Sequence, residues 1–396
     1  MKTGWKYKKL GELFPIIMGK TPPRNIARYW DEKKTTNNLW VSISDLSKNE
    51  GKQIYETKEH ISDEGKQNIK LIPKGSLLVS FKLTLGKMAF AGKDLYTNEA
   101  IISLLKREDV DLMFIYYYFS HLDWNKIASG NEKVKGKTLN KKSLSDIPIA
   151  YLSIDEQQAI VAHLNSAFST IDSLKSNAEK QLAEARALFK RALKEEISLK
   201  NGWSEKTLEE LATDMYRGSG IKRDQITTNG TPCVRYGEIY TTYNVSFDKC
   251  VSHTDLSSIS SPKYFEHGDL LFAITGESVE DIGKTIAYLG NDKCLLGGDI
   301  ICMKHKQNAK YLSYALSTPD AIRQKGIGKT KLKVVHTNAP ALKAIKLPIP
   351  SLETQEKIVS KLDALSDNIK RLEELQRNIE AECDVLKKAL LREVFE

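Results

Sequence analysis

Gln355-Glu356-Lys357-Ile358-Val359 opens a stretch that runs to Phe395 with no proline or glycine in it. Its apolar residues fall at Ile358, Leu362, Leu365, Ile369, Leu372, Ile379, Leu386 and Leu390, and Gln376 and Cys383 fill the two gaps in the series. Steps of four and three are the a/d seam of a coiled coil, sustained here over more than four heptads. Lys, Arg, Glu and Asp hold most other positions, as a solvated helix face requires. At about 1.5 Å per residue the helix would be roughly 60 Å long. A lone helix with such a seam is not stable in water, so a partner helix is expected.

The partner is written earlier in the chain. Ile160, Leu164, Ala167, Ile171, Leu174, Ala178, Gln181, Ala185, Leu188 and Ala192 step in the same way. Ile358 follows Ile160, Ile369 follows Ile171, Leu386 follows Leu188 and Leu390 follows Ala192, each by 198 residues. Gly4-Trp5 returns as Gly202-Trp203 at the same offset, and Leu10-Gly11-Glu12-Leu13 as Leu208-Glu209-Glu210-Leu211. Two amphipathic helices can align by chance, but a shared Gly-Trp at the same offset cannot be explained so. The chain is one unit written twice, a globular segment followed by a long helix.

Each copy has about 150 residues outside its helix, enough to bury a core. The net charge of +9 points to polyanions such as nucleic acid, or to acidic membranes. The segment Met1 to Leu10 has no apolar core of a signal peptide, and no apolar run reaches the length of a membrane span. Cys233, Cys250, Cys294, Cys302 and Cys383 are odd in number, unevenly spaced and confined to the second copy. That usage leads us to expect reduced thiols and a cytoplasmic protein.

In the first globular segment Leu39 to Ser44, Leu77 to Phe81, Lys87 to Ala91 and Ala100 to Leu105 read as strands, and Leu112 to Ile127 as an aromatic-rich helix. A basic strip follows, with Lys133, Lys135, Lys137, Lys141 and Lys142 against the single acid Glu132. The second segment repeats the plan. Pro232 to Tyr240, Leu270 to Thr275, Thr285 to Leu289 and Asp299 to Lys304 read as strands, and Ala309 to Gln324 as a helix. Its strip holds Arg323, Lys325, Lys329, Lys331 and Lys333 with no acid among them. Ile147-Pro148-Ile149 and Leu347-Pro348-Ile349-Pro350 lead into the two long helices.

Catalytic patterns fail on inspection. Gly136-Lys137-Thr138, Gly283-Lys284-Thr285 and Gly328-Lys329-Thr330 resemble the end of a phosphate loop, but its leading glycine is replaced by Asn131, Ser278 and Arg323. Tyr216-Arg217-Gly218-Ser219-Gly220 resembles a cofactor turn yet follows no apolar strand. Cys302 and His305 lack a second pair to complete a zinc site, and no metal is expected. Binding chemistry remains. Lysines of the two strips can neutralise phosphates. Forked donors and amides can read bases. The candidate readers are Arg24, Asn98 and Lys82 in the first copy, and Arg217, Arg223, Arg235 and Tyr236 in the second; Lys20 and Lys222 join them as candidate DNA contacts.

The layout resembles the specificity subunit of type I restriction-modification systems. The first copy carries the resemblance in Gly19-Lys20-Thr21-Pro22-Pro23, Tyr29-Trp30 and Leu39-Trp40-Val41-Ser42-Ile43-Ser44-Asp45-Leu46. The second carries it in Arg217-Gly218-Ser219-Gly220-Ile221-Lys222 and Pro232-Cys233-Val234-Arg235-Tyr236-Gly237-Glu238-Ile239-Tyr240. Gln157-Gln158-Ala159-Ile160-Val161 and Gln355-Glu356-Lys357-Ile358-Val359 match the family's Gln-x-x-Ile-Val lead into each helix.

The resemblance implies an α+β fold of two homologous mixed α/β target-recognition domains, at 1–150 and 200–350. Two long antiparallel coiled-coil helices, at 151–199 and 351–396, would separate them as a pseudo-two-fold internal repeat. Each domain would read one half of an asymmetric bipartite site in double-stranded DNA, and the helices would set the gap. Two methyltransferase subunits would dock on the helices and supply S-adenosylmethionine chemistry on adenine. Restriction subunits, using ATP and Mg, would be further partners. This chain itself would hold no cofactor and catalyse nothing. Two other readings stand beside this one: a coiled-coil scaffold that binds only proteins, and a Mg-dependent nuclease using Asp45, Glu56 and Lys58.

Overall fold

The computed structural model describes residues 2–128, 132–133, 136–276, 278–279, 281–328 and 335–396, with the backbone alone at 132, 133, 136 and 137. The chain divides into two compact units. One contains residues up to Asn177 together with Arg377–Glu396, and the other is Ala178–Gln376. Each therefore holds one globular segment and one end of both long helices.

In the first unit a five-stranded sheet runs in the order Ile17–Met18, Ile101–Leu104, Leu77–Ser80, Met88–Ala91, Gln53–Ile54. All pairs are antiparallel except the last. Its strands are apolar on both faces because both faces are covered. Leu77, Val79, Ile102 and Leu104 pack on the aromatic helix Leu112–His121. Leu78, Ala89, Ala91 and Ile101 pack on Leu39, Val41 and Leu46. Successive side chains leave a strand on opposite faces, so an unbroken apolar run marks a sheet buried on both sides.

The second unit has the same sheet order: Ala212–Arg217, Ile300–His305, Leu270–Ala273, Thr285–Tyr288, Ser246–Phe247. Here Leu270, Phe272 and Met303 face one core, and Leu271, Ala273, Ile300 and Cys302 face the other. In both units a short antiparallel pair closes the globular segment, Tyr7–Lys9 with Pro148–Ala150 and Ser204–Thr207 with Lys346–Ile349. The duplication read from the 198-residue offset is thus a duplication of topology.

Several expected elements are shorter than the sequence suggests. The strands Leu39–Val41 and Thr231–Val234 end early, and helices Ile43–Lys48 and Tyr236–Thr241 follow at once. The acid three residues after the turn makes the switch. Asp45 accepts the backbone N–H of Ser42 at 2.9 Å, and Glu238 accepts that of Arg235 at 3.2 Å. The long aromatic helices also break. Leu112–His121 stops before Asp123, which caps Trp124–Ile127. Ala309–Ala315 stops before Thr318, which caps Pro319–Lys325 with a proline in its first turn.

The long helices span Ile154–Glu196 and Leu352–Phe395. Within each unit their ends run antiparallel. In the first unit Lys387 pairs with Asp172, and the Cys383 thiol donates to the carbonyl of Ile171. In the second unit Arg186 pairs with Glu373 at 2.6 Å, and Lys361 with Glu196. Of the expected seam, Leu164, Ile171, Ile358 and Leu362 are buried, and Ile160, Leu365, Ile369, Leu372, Ile379 and Leu390 half-buried. Leu174, Leu188 and Leu386 are a correction: they are about half exposed. Leu182 and Leu193 are buried instead, and Phe189 and Lys387 half-buried. A helix with 3.6 residues per turn drifts from a strict heptad, so the contact line passes from the third to the fourth position after Ile171.

The glutamines that recur at the two helix starts are fasteners. Gln157 is buried; its Oε1 accepts the N–H of Asp111 at 2.9 Å, and its Nε2 donates to the carbonyl of Leu152 at 3.0 Å. Gln355 repeats both bonds, to Asn308 N–H at 3.0 Å and the carbonyl of Pro350 at 3.0 Å. Tyr117 then donates to Asn165 at 2.6 Å, and Tyr314 to Asp363 at 2.7 Å. Each long helix is pinned to the N-cap of the aromatic helix of its own unit.

Candidate nucleic-acid interface

In each unit a glycine lets two chain segments meet. A Cβ on Gly19 would lie 2.1 Å from the carbonyl oxygen of Thr97, and one on Gly218 would lie 2.2 Å from that of Gly297. No side chain fits there. The approach brings the residues after each glycine beside the turn that follows strand Tyr96–Thr97 in the first unit and Cys294–Leu296 in the second. The two units furnish this shared frame differently.

In the second unit the frame forms an open cleft of about 990 Å³, lined by Arg217, Arg223, Arg235, Tyr236, Glu238 and Asp299 among others. Arg217 donates from Nε to the carbonyl of Gly298, and from Nη2 to Asp299 at 2.7 Å. Arg235 donates from Nε to Glu238 at 3.2 Å. Glu238 is buried, and the Ser252 hydroxyl also donates to it at 2.8 Å. Arg223 is exposed and makes no ion pair among the described residues, and Tyr236 is 40% exposed. Lys222 is exposed on the same loop, its backbone N–H held by Gln225 at 2.8 Å. Three guanidinium groups therefore stand over two carboxylates in a cleft open to solvent, which suits an anionic ligand with planar acceptors.

In the first unit the corresponding residues pair with one another. Thr21 donates to Glu99 across it. Arg24 grips Glu59 with both terminal nitrogens, and its guanidinium lies 3.9 Å from the centre of the Trp30 ring and 4.9 Å from that of Trp40. Asn98 accepts the N–H of Ala100 at 2.8 Å and shapes the turn. Lys20 is exposed, while its carbonyl accepts from the Trp40 indole at 3.1 Å. Lys82 is half-buried at the Phe81 ring and pairs by backbone with Thr138. Asp45 spends its carboxylate on the N–H groups of Ser42 and Lys58, both at 2.9 Å, so it is a structural cap and not a metal ligand.

The basic strips fare unequally. Lys135, Lys329, Lys331 and Lys333 lie outside the described residues, as do the side chains of Lys133 and Lys137. Arg323 is exposed and pairs with Asp320. Lys325 is a correction. It is buried, and its Nζ donates to the carbonyls of Gly283 at 2.7 Å and Leu316 at 2.9 Å and to Thr285 Oγ1 at 3.2 Å. Loss of hydration lowers its pKa from 10.5 to about 7. A lysine spent on interior acceptors cannot reach a phosphate. Sequence reading missed Glu238 and Ser252, which hold Arg235; the spacing Arg-x-x-Glu ahead of an apolar residue was the available signal.

No helix among the described residues is long and apolar enough to cross a membrane. The model of the family described as "Type I restriction modification DNA specificity domain" matches the chain twice, over residues 2–184 and 200–382. A specificity subunit of type I restriction enzyme MjaIX from Methanocaldococcus jannaschii is 27% identical over 185 residues, 45% of this chain. That of HindI from Haemophilus influenzae is 28% identical over 196 residues, 47% of this chain. Each match spans 40% of the relative's own length. Among solved structures, a chain from a study of complex assembly and conformational transition of the type I R-M system aligns over 100% of this chain and 98% of its own, with a TM-score of 0.71 and 18% identity. The HsdS subunit from Thermoanaerobacter tengcongensis aligns over 100% and 97%, with a TM-score of 0.63 and 20% identity.

Proposed function

This chain belongs to the type I restriction-modification DNA specificity family, and from that premise we propose that it is the DNA sequence-recognition subunit of such a system. It binds double-stranded DNA through both globular segments, each taking one half of a two-part site. The long helices set the unread gap and carry methyltransferase subunits, which bring S-adenosylmethionine. Restriction subunits with ATP and Mg join where cleavage is added. The chain itself selects sequence and performs no bond chemistry.

The observation that carries this reading is one specificity module present twice on a single chain with unlike faces. A repeated scaffold explains why both halves can engage a duplex. An open arginine-lined cleft on one copy and a surface whose Thr21 and Arg24 are tied to acids on the other explain why the two halves would read different bases. Lys20, Lys133, Lys135, Lys137, Lys222, Lys329, Lys331 and Lys333 are proposed as phosphate contacts, which position the protein without reading sequence.

Co-expression with its methyltransferase partner, followed by genome-wide mapping of methylated adenines, tests the proposal. The expected outcome is a single asymmetric motif in two parts, present only when both proteins are made. A methyltransferase that marks the same motif without this chain would remove the assigned role.

A further inference from the structure

We propose that Arg235 reads a guanine in the half-site taken by the second unit, and that no arginine does so from the matching place in the first. The inference rests on the DNA-recognition reading above. Guanine offers O6 and N7 side by side in the major groove, and a guanidinium presenting two free N–H groups matches them. Arg235 is built for that. Its Nε is tied to Glu238 at 3.2 Å, while its two terminal nitrogens make no hydrogen bond among the described residues. Its side chain is 30% exposed, so it has little freedom beyond the free end. Glu238 is itself fixed by Ser252 at 2.8 Å and by the backbone of Arg235. A fork held at its base loses little entropy when it binds.

The space in front of the fork is kept open. A Cβ on Gly220 or on Gly237 would meet nothing within 4 Å, and neither glycine has a positive φ. Neither packing nor backbone conformation asks for glycine at these cleft positions. Room for a ligand edge does. Arg217, by contrast, is held at both Nε and Nη2, by the carbonyl of Gly298 and the carboxylate of Asp299, so of its terminal nitrogens only Nη1 is unengaged.

In the first unit the residue at the same turn is Ser42, bonded to Asp45 within its own cap. The nearby arginine, Arg24, has both terminal nitrogens on Glu59 and its flat face on Trp30 and Trp40. It holds the fold, and its terminal edge, the one that Arg235 leaves open, is taken by a carboxylate.

The test is selection of binding sites by the full chain from a pool of random-sequence duplexes, for the wild type, Arg235→Ala and Arg235→Lys. The wild type enriches a two-part motif. In both variants one guanine of one half becomes degenerate, and the other half is unchanged and serves as the control for folding. Placing 7-deazaguanine at that position weakens wild-type binding about 5- to 150-fold, with no further loss in Arg235→Ala. A variant motif identical to the wild-type motif, or a wild-type motif with no guanine in the affected half, overturns the assignment and leaves DNA recognition standing. Absence of any enriched sequence for the wild type overturns the DNA reading, and this inference with it.

Discussion

At Gly86 and at Gly283 a side chain from the next helix crosses close to the backbone. A Cβ on Gly86 would lie 2.3 Å from the Trp124 ring, and one on Gly283 would lie 3.2 Å from the Lys325 stem. Trp124 donates to the carbonyl of Phe119 at 3.1 Å, as Lys325 donates to that of Leu316 at 2.9 Å. An indole and a lysine thus satisfy the same exposed end of the same helix in the two units. The lysine brings a pH dependence. The folded chain sheds its proton above about pH 7, and the unfolded chain keeps it to about pH 10.5. Across that window the unfolded state binds more protons, so stability rises with pH. We expect the second unit to gain on the order of 2–3 kcal/mol between pH 7 and pH 9. Urea unfolding followed by Trp203 should show this for the wild type and not for Lys325→Met. His305 acts in the acid window. Burial lowers it to about 4, so it stays neutral in the fold while the unfolded chain charges below about pH 6.5. Stability falls as pH drops through that range.

At the scale of elements, the fastening of helix to domain was legible only as a motif. Gln-x-x-Ile-Val stands at both helix starts, but nothing in the string says that the glutamine bridges a loop carbonyl and a distant N-cap. Gln157→Leu removes both partners of buried backbone groups, which costs roughly 2–5 kcal/mol. Gln355→Leu should do the same in the other unit. Tryptophan fluorescence separates them, because Trp203 is the one tryptophan outside the first unit. Equal loss in both units from either substitution would refute the local fastener. The seam makes a second prediction. Leu182→Glu places a charge on the buried contact line and should lower the melting temperature by several degrees. Leu174→Glu and Leu188→Glu, on the outer face, should leave stability within about 0.5 kcal/mol. The heptad reading expected the opposite, since spacing shows that a seam exists but not how far it drifts along the helix.

At the scale of the molecule, the two units share a scaffold and differ in what they present. Exchange of residues 202–346 for the matching segment of another family member should change one half of the methylated motif and leave the other intact; a change in both halves would mean that the units do not read independently. Binding should also weaken steeply with salt, the logarithm of affinity falling linearly with that of salt concentration. The duplication and the long helices were determined by the sequence alone, because they lie in spacing along the chain: the 198-residue offset and steps of three and four; the family was legible there as a resemblance of motifs. The fate of individual basic residues was decided only by tertiary structure. Arg24 meets Glu59 across 35 residues, and Lys325 meets Gly283 across 42. Those partners come together by folding, and no local pattern records them. The same kind of charge therefore ends buried in Lys325, paired through both terminal nitrogens in Arg24 and paired through Nε alone in Arg235.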